Sequence, residues 1–134
     1  MVTDSCPFCE IASQANHNRI LLQNAHGFVI RDGFPVSVGH TLIIPKRHVG
    51  SFFDISEDER QSLLSLLDQA KLNVQTEHQP DGYNIGINDG PAAGQTVPHL
   101  HIHLIPRYQE HGVDPRGGVR WVVAEKADYW SERS

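Results

Sequence analysis

His99-Leu100-His101-Ile102-His103-Leu104-Ile105 alternates imidazole with aliphatic side chains in strict period two. On an extended chain successive side chains point to opposite faces, so the three histidines would form a row on one face, about 6.5 Å apart from roughly 3.3 Å of rise per residue. One histidine on a strand is ordinarily a wet-face residue. Three in register need hydrogen-bond partners, ligands or a substrate once they are partly buried. Two chemistries fit such a row: alternate histidines can hold a catalytic metal, or they can act as nucleophile and ligands at a transferring phosphoryl group. The preceding loop, Asp89-Gly90-Pro91-Ala92-Ala93-Gly94-Gln95-Thr96, discriminates between them. Its small residues let backbone amides approach an anion, and Gln95 and Thr96 add side-chain donors, which suits phosphate. There is no Walker sequence, so this would be a nucleotide site of another kind.

Cys6-Pro7-Phe8-Cys9 has the two-residue gap that lets both thiolates reach one tetrahedral metal. A redox dithiol is the rival reading, but it normally follows a strand in a βαβ context, and only five residues precede Cys6. Two unliganded thiols are the third. His40 stands at the start of a strand, while His17, His26, His78 and His111 fall in turns or at element ends and receive no role. Trp121 and Trp130 read as anchors of a C-terminal arm or as the border of a groove. Lys46, Arg47 and Arg107 read as solvated, with Arg107 within reach of a distal phosphate.

These groups need a scaffold. Arg19 to Gln23 and Gly27 to Asp32 are short β-favouring runs separated by Asn24-Ala25-His26, which predicts a hairpin. A third strand is expected over His40 to Ile44, stopping at Pro45 after a Gly33 to Gly39 loop. Ser56-Glu57-Asp58-Glu59 has the form of a capping box at a helix start. Leu63, Leu66, Leu67, Ala70 and Val74 then recur at helical spacing, which leaves Glu59, Arg60, Asp68 and Lys71 on the wet side of a helix that ends before Pro80. Tyr83 to Asn88 and His99 to Ile105 read as further strands, and Arg116 to Val123 as one more strand or an ordered arm. Strands, one long helix and more strands predict an α+β fold with a mainly antiparallel sheet, and there is no Rossmann pattern.

Composition bounds the rest. The chain of 134 residues has the size of one domain, and 39% hydrophobic with 20% charged residues is ordinary globular composition. Eleven Lys and Arg against sixteen Asp and Glu give a net charge of −5, the wrong sign for broad nucleic-acid binding. No apolar run approaches the roughly 18 residues of a membrane span, and Met1 to Glu10 lacks a signal pattern, so the cytoplasm is the expected compartment.

The seven residues from His99 match the motif of the histidine triad (HIT) family, His-φ-His-φ-His-φ-φ with φ hydrophobic, in full. Asp89 to Val97 resembles the phosphate loop of the fragile-histidine-triad branch, the diadenosine polyphosphate hydrolases, and Gly39 to His48 resembles the family's preceding strand. The resemblance covers roughly Cys6 to Arg107 and implies a HIT-like fold with a short N-terminal helix, one domain over 1–134 and an arm over about 108–134. It implies that His101 is the nucleophile, attacking the α-phosphorus to form a nucleotidyl-histidine that water hydrolyses, and that His103 binds the same phosphate. It further implies that Asn88, Gln95 and Thr96 contact phosphates or the leaving group, that Gly94 allows close backbone approach, that Asp32 meets the ribose hydroxyls, that Phe8, Phe28 and Leu42 wall the purine pocket, and that His40 lies near the triad. Asn88 departs from the Gln expected in the polyphosphate hydrolases and looks more like the phosphoramidase branch. A nucleoside phosphoramidase, a nucleotidyltransferase and a nucleotide-binding sensor with weak catalysis are therefore the alternatives to a diadenosine polyphosphate hydrolase. A structural zinc on Cys6, Cys9, His48 and His99, and a homodimer joined through a continuous sheet, are also implied. An ordinary imidazole pKa of about 6.5 agrees with the nucleophile role, because much of the group is neutral at neutral pH without a separate base.

Overall fold

A computed structural model describes residues 6–131 of the chain; positions 1–5 and 132–134, the two ends of the expected domain, lie outside the described residues. Five strands form one antiparallel sheet: β1 (Leu22–Gln23), β2 (Gly27–Arg31), β3 (Thr41–Pro45), β4 (Gly82–Ile87) and β5 (Ile102–Arg107). Their order is β1-β2-β3-β5-β4, so β5 is an interior strand between β3 and β4, and β4 is an edge. The expected hairpin is present, with Leu22 opposite Val29 and Gln23 opposite Phe28. The Asn24 side-chain carbonyl accepts from the His26 and Gly27 amides and so fixes the turn.

The long helix α2 (Glu57–His78) starts with the capping box read from the sequence: Ser56 Oγ accepts from the Glu59 amide and the Glu59 carboxylate accepts from the Ser56 amide. Leu63, Leu66, Ala70 and Val74 are fully buried against one side of the sheet with Val29, Ile43, Leu100, Ile102 and Leu104. Gly27 makes the close approach possible, since a Cβ there would lie 2.9 Å from the side chains of Leu63 and Leu66. On the other side of the sheet the short helix α1 (Pro7–Ala12) packs Phe8, Cys9 and Ile11 onto Phe28, Ile30, Leu42 and Ile44. Helix α1 thus brings both cysteines to the sheet face that carries the histidines.

Several expectations from the sequence are narrowed or corrected. The last strand begins at Ile102 rather than His99 and runs through Pro106, which faces Tyr83 on the edge strand β4. Before it, the His99 amide turns back to the Val97 carbonyl and the Leu100 amide donates to the Val49 carbonyl, so those residues bond outside the ladder. Of the two readings of Arg116 to Val123, the strand is excluded and the ordered arm stands, since positions 118–122 form a 3-10 helix. Finally, Glu59 is buried rather than wet, because Arg47 reaches back from the loop after β3 to grip both its carboxylate oxygens at 2.9 and 2.8 Å. Arg47 is accordingly paired rather than solvated.

The Arg47 hydrogen bonds, helped by Ser56 and opposed by desolvation, hold the Glu59 carboxyl at about 2, below its usual 4.5. Its stabilisation is therefore complete above pH 4.5 and disappears as pH falls through about 2. Arg47 is 54% exposed, so solvent screens the pair. Glu59→Gln is expected to cost about 1–2 kcal/mol at neutral pH, through the weakened cap and pair, and much less near pH 2. Urea unfolding of both proteins at the two pH values checks this; an equal loss at both would refute it.

Candidate functional site

The triad histidines and the Cys/His cluster meet on the sheet face opposite α2, around the start of β5. Strand β5 places His103 opposite Leu42 of β3 and Gly86 of β4. His101 lies just before the strand, its ring 5.0 Å from that of His103 and 5.1 Å from Phe8, while Phe8 also lies edge-on to His99 at 5.7 Å. The three imidazoles are thus gathered with the Phe8 ring, although only His103 sits in the ladder.

Hydrogen-bond partners assign the protons. His101 Nδ1 lies 2.9 Å from the His99 carbonyl, which can only accept. Neutral His101 therefore carries its proton on Nδ1 and a lone pair on Nε2. His99 Nε2 lies 2.8 Å from the Pro45 carbonyl, so its lone pair is on Nδ1. That atom faces Cys6 Sγ at 3.4 Å, Cys9 Sγ at 3.5 Å and His48 Nδ1 at 3.2 Å, and Cys9 Sγ is 3.2 Å from His48 Nδ1. All four ligand atoms lie within 4.8 Å of one another. A tetrahedral zinc with ordinary Zn–N and Zn–S bonds separates its ligand atoms by about 3.3–3.8 Å, so the donor set fits such an ion. The His99 N–H on a backbone carbonyl is the outer hydrogen bond that metal-bound histidines make. Cys6, Cys9 and His99 are buried, which leaves the set closed around its centre.

Burial, then the charges of His101 and His40, push His103 down to about 4, against the opposing pull of Asp32. His103 is therefore neutral at physiological pH. Burial also lowers His99, outweighing its hydrogen bond to Pro45. His40, which the family resemblance sets near the triad, is 3% exposed and lies with Nε2 3.0 Å from His103 Nδ1. Only the pairing of β3 with β5 brings these two together across 63 residues, a register that no local pattern displays.

The remaining candidates divide by place. Leu42 and Phe28 are buried in the apolar cluster beneath α1, with Leu42 directly beside His103. Asp32, just after β2, lies with Oδ2 3.4 Å from His40 Nε2 and accepts from the Phe34 amide at 2.8 Å. Asn88 follows the end of β4, next to Ile87, which pairs with Ile102. Gly94 closes the loop's 3-10 turn at φ +93, with nothing within 4 Å of where a Cβ would stand, and Thr96 is exposed beside it. Gln95 faces inward: its carbonyl accepts from the Gly90 amide and its NH2 donates to the Gly50 and Val97 carbonyls. The amides of Ala93, Gly94 and Gln95 turn back onto Pro91 and Gly90, so the loop is held in shape by its own groups. Asp89 adds a second tie by accepting from Ser51 Oγ and the Phe52 amide, a clamp with no sequence signal beyond an acidic residue before glycine. Arg107 holds the Asn84 side chain at the far end of the histidine row.

The HIT domain profile matches residues 13–110, and the chain belongs to the HIT family. It is 37% identical over 107 residues to an uncharacterised HIT-like protein of Mycoplasma genitalium, covering 80% of this chain and 76% of that protein. It is 36% identical over 97 residues to a bis(5'-adenosyl)-triphosphatase of Saccharomyces cerevisiae, covering 72% of this chain but 44% of that enzyme. Among solved structures, a zinc-bound histidine triad family protein of Mycobacterium smegmatis superposes with a TM-score of 0.71 at 33% identity, covering 82% of this chain and 80% of that one.

Proposed function

We propose that the protein is a nucleotide hydrolase that cleaves at an α-phosphate through a covalent nucleotidyl-histidine, with a diadenosine polyphosphate or a related nucleotide as substrate. The observation that carries this reading is the proton assignment of His101: its Nδ1–H is tied to the His99 carbonyl, which leaves the Nε2 lone pair for attack beside His103. In the first step His101 Nε2 bonds to the α-phosphorus as the bond from that phosphorus to the leaving group breaks. A nucleoside polyphosphate leaves as an anion and needs no proton, whereas the amine of a phosphoramidate must gain one. In the second step water displaces His101 and delivers the nucleoside monophosphate. Splitting hydrolysis in this way replaces one difficult displacement by two easier ones. His103 supports charge on the phosphoryl oxygens. Asp32 serves the ribose hydroxyls, Phe8, Phe28 and Leu42 shape the base pocket, and Asn88, Gly94, Gln95 and Thr96 form the phosphate and leaving-group side, Gln95 by holding the loop.

Cys6, Cys9, His48 and His99 are proposed to hold one structural zinc. Its chemistry would be cross-linking, joining α1 and the loop after β3 to the residue two positions before His101. Among the described residues the outer edge of β4 pairs with no strand, and Ile85 on it is half exposed; this supports a homodimer through a continuous sheet, which light scattering of the purified protein checks. Among the described residues no helix is long and apolar enough to cross a membrane.

A product-resolved turnover screen of dinucleoside polyphosphates, nucleoside phosphoramidates and adenylylated nucleic-acid ends tests the function. The expected result is nucleoside monophosphate from a dinucleoside polyphosphate. Turnover of the phosphoramidate alone would move the protein to the phosphoramidase reading, which Asn88 favours. Tight nucleotide binding without turnover of any of them would make it a sensor.

A further inference from the structure

The face that carries the histidines continues past His103. Ile102 and Leu104 of β5 enter the core under α2, so by strand alternation His103, Ile105 and Arg107 share the opposite face. On β4, Tyr83 and Ile87 pack toward α2 and Asn84 therefore faces the histidine side, where its side-chain carbonyl accepts from Arg107. A cavity of about 870 Å³ opens over this part of the sheet, within the size range of small-molecule sites. Ile105, Asn84 and Arg107 line it from the sheet, Val36 from the loop over 33–39, and Val113 and Pro115 from the arm. The residues proposed for the reaction lie outside it.

Its chemistry suits an anionic group that carries an apolar end. Arg31, Arg47, Arg60 and Arg116 each face a carboxylate. Arg107 instead donates to the neutral Asn84, which orients the guanidinium without cancelling its charge. Asp81, the carboxylate in the lining, accepts from the Gln109 amide at 2.8 Å. Val36 and Val113 are 71% and 74% exposed, so each leaves apolar surface for a ligand to cover. The way from His103 is open, because Gly86 stands beside it on β4 with nothing within 4 Å of where a Cβ would be. Arg107 lies four residues beyond His103, about 13 Å along the strand from roughly 3.3 Å of rise per residue. Asn84 is opposite Ile105, so its bond draws the guanidinium back toward His103. A lone α-phosphate beside His101 falls short of Arg107, while an extended polyphosphate chain spans the gap. The nucleoside that carries the α-phosphate is assigned to the other flank of β5, at Asp32 and the apolar cluster beneath α1, which leaves the departing half of the substrate to fill this cavity.

We propose that the cavity is the leaving-group subsite: Arg107 binds the distal phosphates of a dinucleoside polyphosphate, and Val36, Ile105 and Val113 cover its second base. The proposal rests on the reading of the protein as a nucleotide hydrolase acting at His101, and it names the part of the substrate that the cavity selects. Asn84 holds Arg107 in place, and the arm supplies the outer wall. A Cβ on Gly118 would lie 3.4 Å from Asn84 Nδ2, so the arm seats directly against that pair. Val113 and Pro115 thus give the segment beyond residue 110, outside the match to the HIT profile, a part in specificity.

Equilibrium binding to the full chain, measured by calorimetry, tests this with two ligands. Adenosine monophosphate fills only the first nucleoside site, and a methylene-bridged diadenosine tetraphosphate, which resists hydrolysis, fills both. The wild type is expected to bind the dinucleotide about 10- to 100-fold more tightly than the monophosphate, the range of one charged hydrogen bond. Arg107→Gln is expected to remove most of that advantage while monophosphate binding changes little. Val113→Glu, at an exposed position, sets a carboxylate against the distal phosphates and should also weaken the dinucleotide selectively; it decides the matter should Arg107→Gln fail to fold. Equal affinity of the wild type for the two ligands overturns the subsite, as does an unchanged dinucleotide affinity in either folded variant or an equal weakening of both ligands. Binding of neither ligand by the wild type would refute the nucleotide reading itself, and the subsite with it.

Discussion

His101→Ala is expected to lower turnover by at least about 10³-fold, or about 4 kcal/mol of barrier, while nucleotide binding stays largely intact. In the proposed mechanism the substitution deletes the atom that forms the bond to phosphorus, and it leaves in place the apolar cluster of α1, β2 and β3 proposed to shape the base pocket. The lost edge contact with Phe8, at 5.1 Å, should show only as a modest fall in melting temperature. A rapid acid quench with labelled substrate should trap one nucleotidyl group per wild-type chain and none on the variant. Retention of more than a tenth of the wild-type rate would sink the assignment. Binding lost in parallel with turnover would make His101 a ligand of substrate rather than its attacker.

How much of this site the sequence displays follows from the range of the interactions. The alternation at positions 99–105 and the capping box at Ser56 and Glu59 are local, and local geometry carries them into the structure, even though the strand itself begins only at Ile102. Glu59 shows where that stops. Its position in the box is legible, but its burial comes from Arg47, twelve residues upstream across a turn. His40 belongs to the same class: the family resemblance sets it near the triad, but its residue type and place before a strand name no partner until β3 pairs with β5 and brings it to His103. Gln95 and Thr96 read alike as donors beside glycines, yet the Gln95 amide faces the Gly50 carbonyl while Thr96 is exposed. Side-chain type thus names the chemistry available, and only register and loop closure decide which atoms are presented.

The proposed zinc site at Cys6, Cys9, His48 and His99 gives a second large effect, in stability rather than rate. Purified protein is expected to contain about one zinc per chain, and Cys6→Ser to release it. Metal binding contributes directly to folding free energy. The chain also has a buried core around α2 that does not involve the cluster, so the variant should fold but melt lower by roughly 10 °C, which corresponds to about 3 kcal/mol for a domain of this size. Activity per folded molecule should be largely kept. The lone pair that His101 uses is set by its own Nδ1–H on the His99 carbonyl, a backbone contact, and His99 is still held by its Nε2–H on the Pro45 carbonyl. A catalytic metal predicts the reverse, turnover that tracks zinc content at unchanged melting. Zinc content, melting temperature and turnover measured on the same wild-type and Cys6→Ser samples separate the two. Absence of zinc from protein purified under reducing conditions without chelator would remove the site, and turnover lost in proportion to zinc with unaltered melting would overturn its structural role.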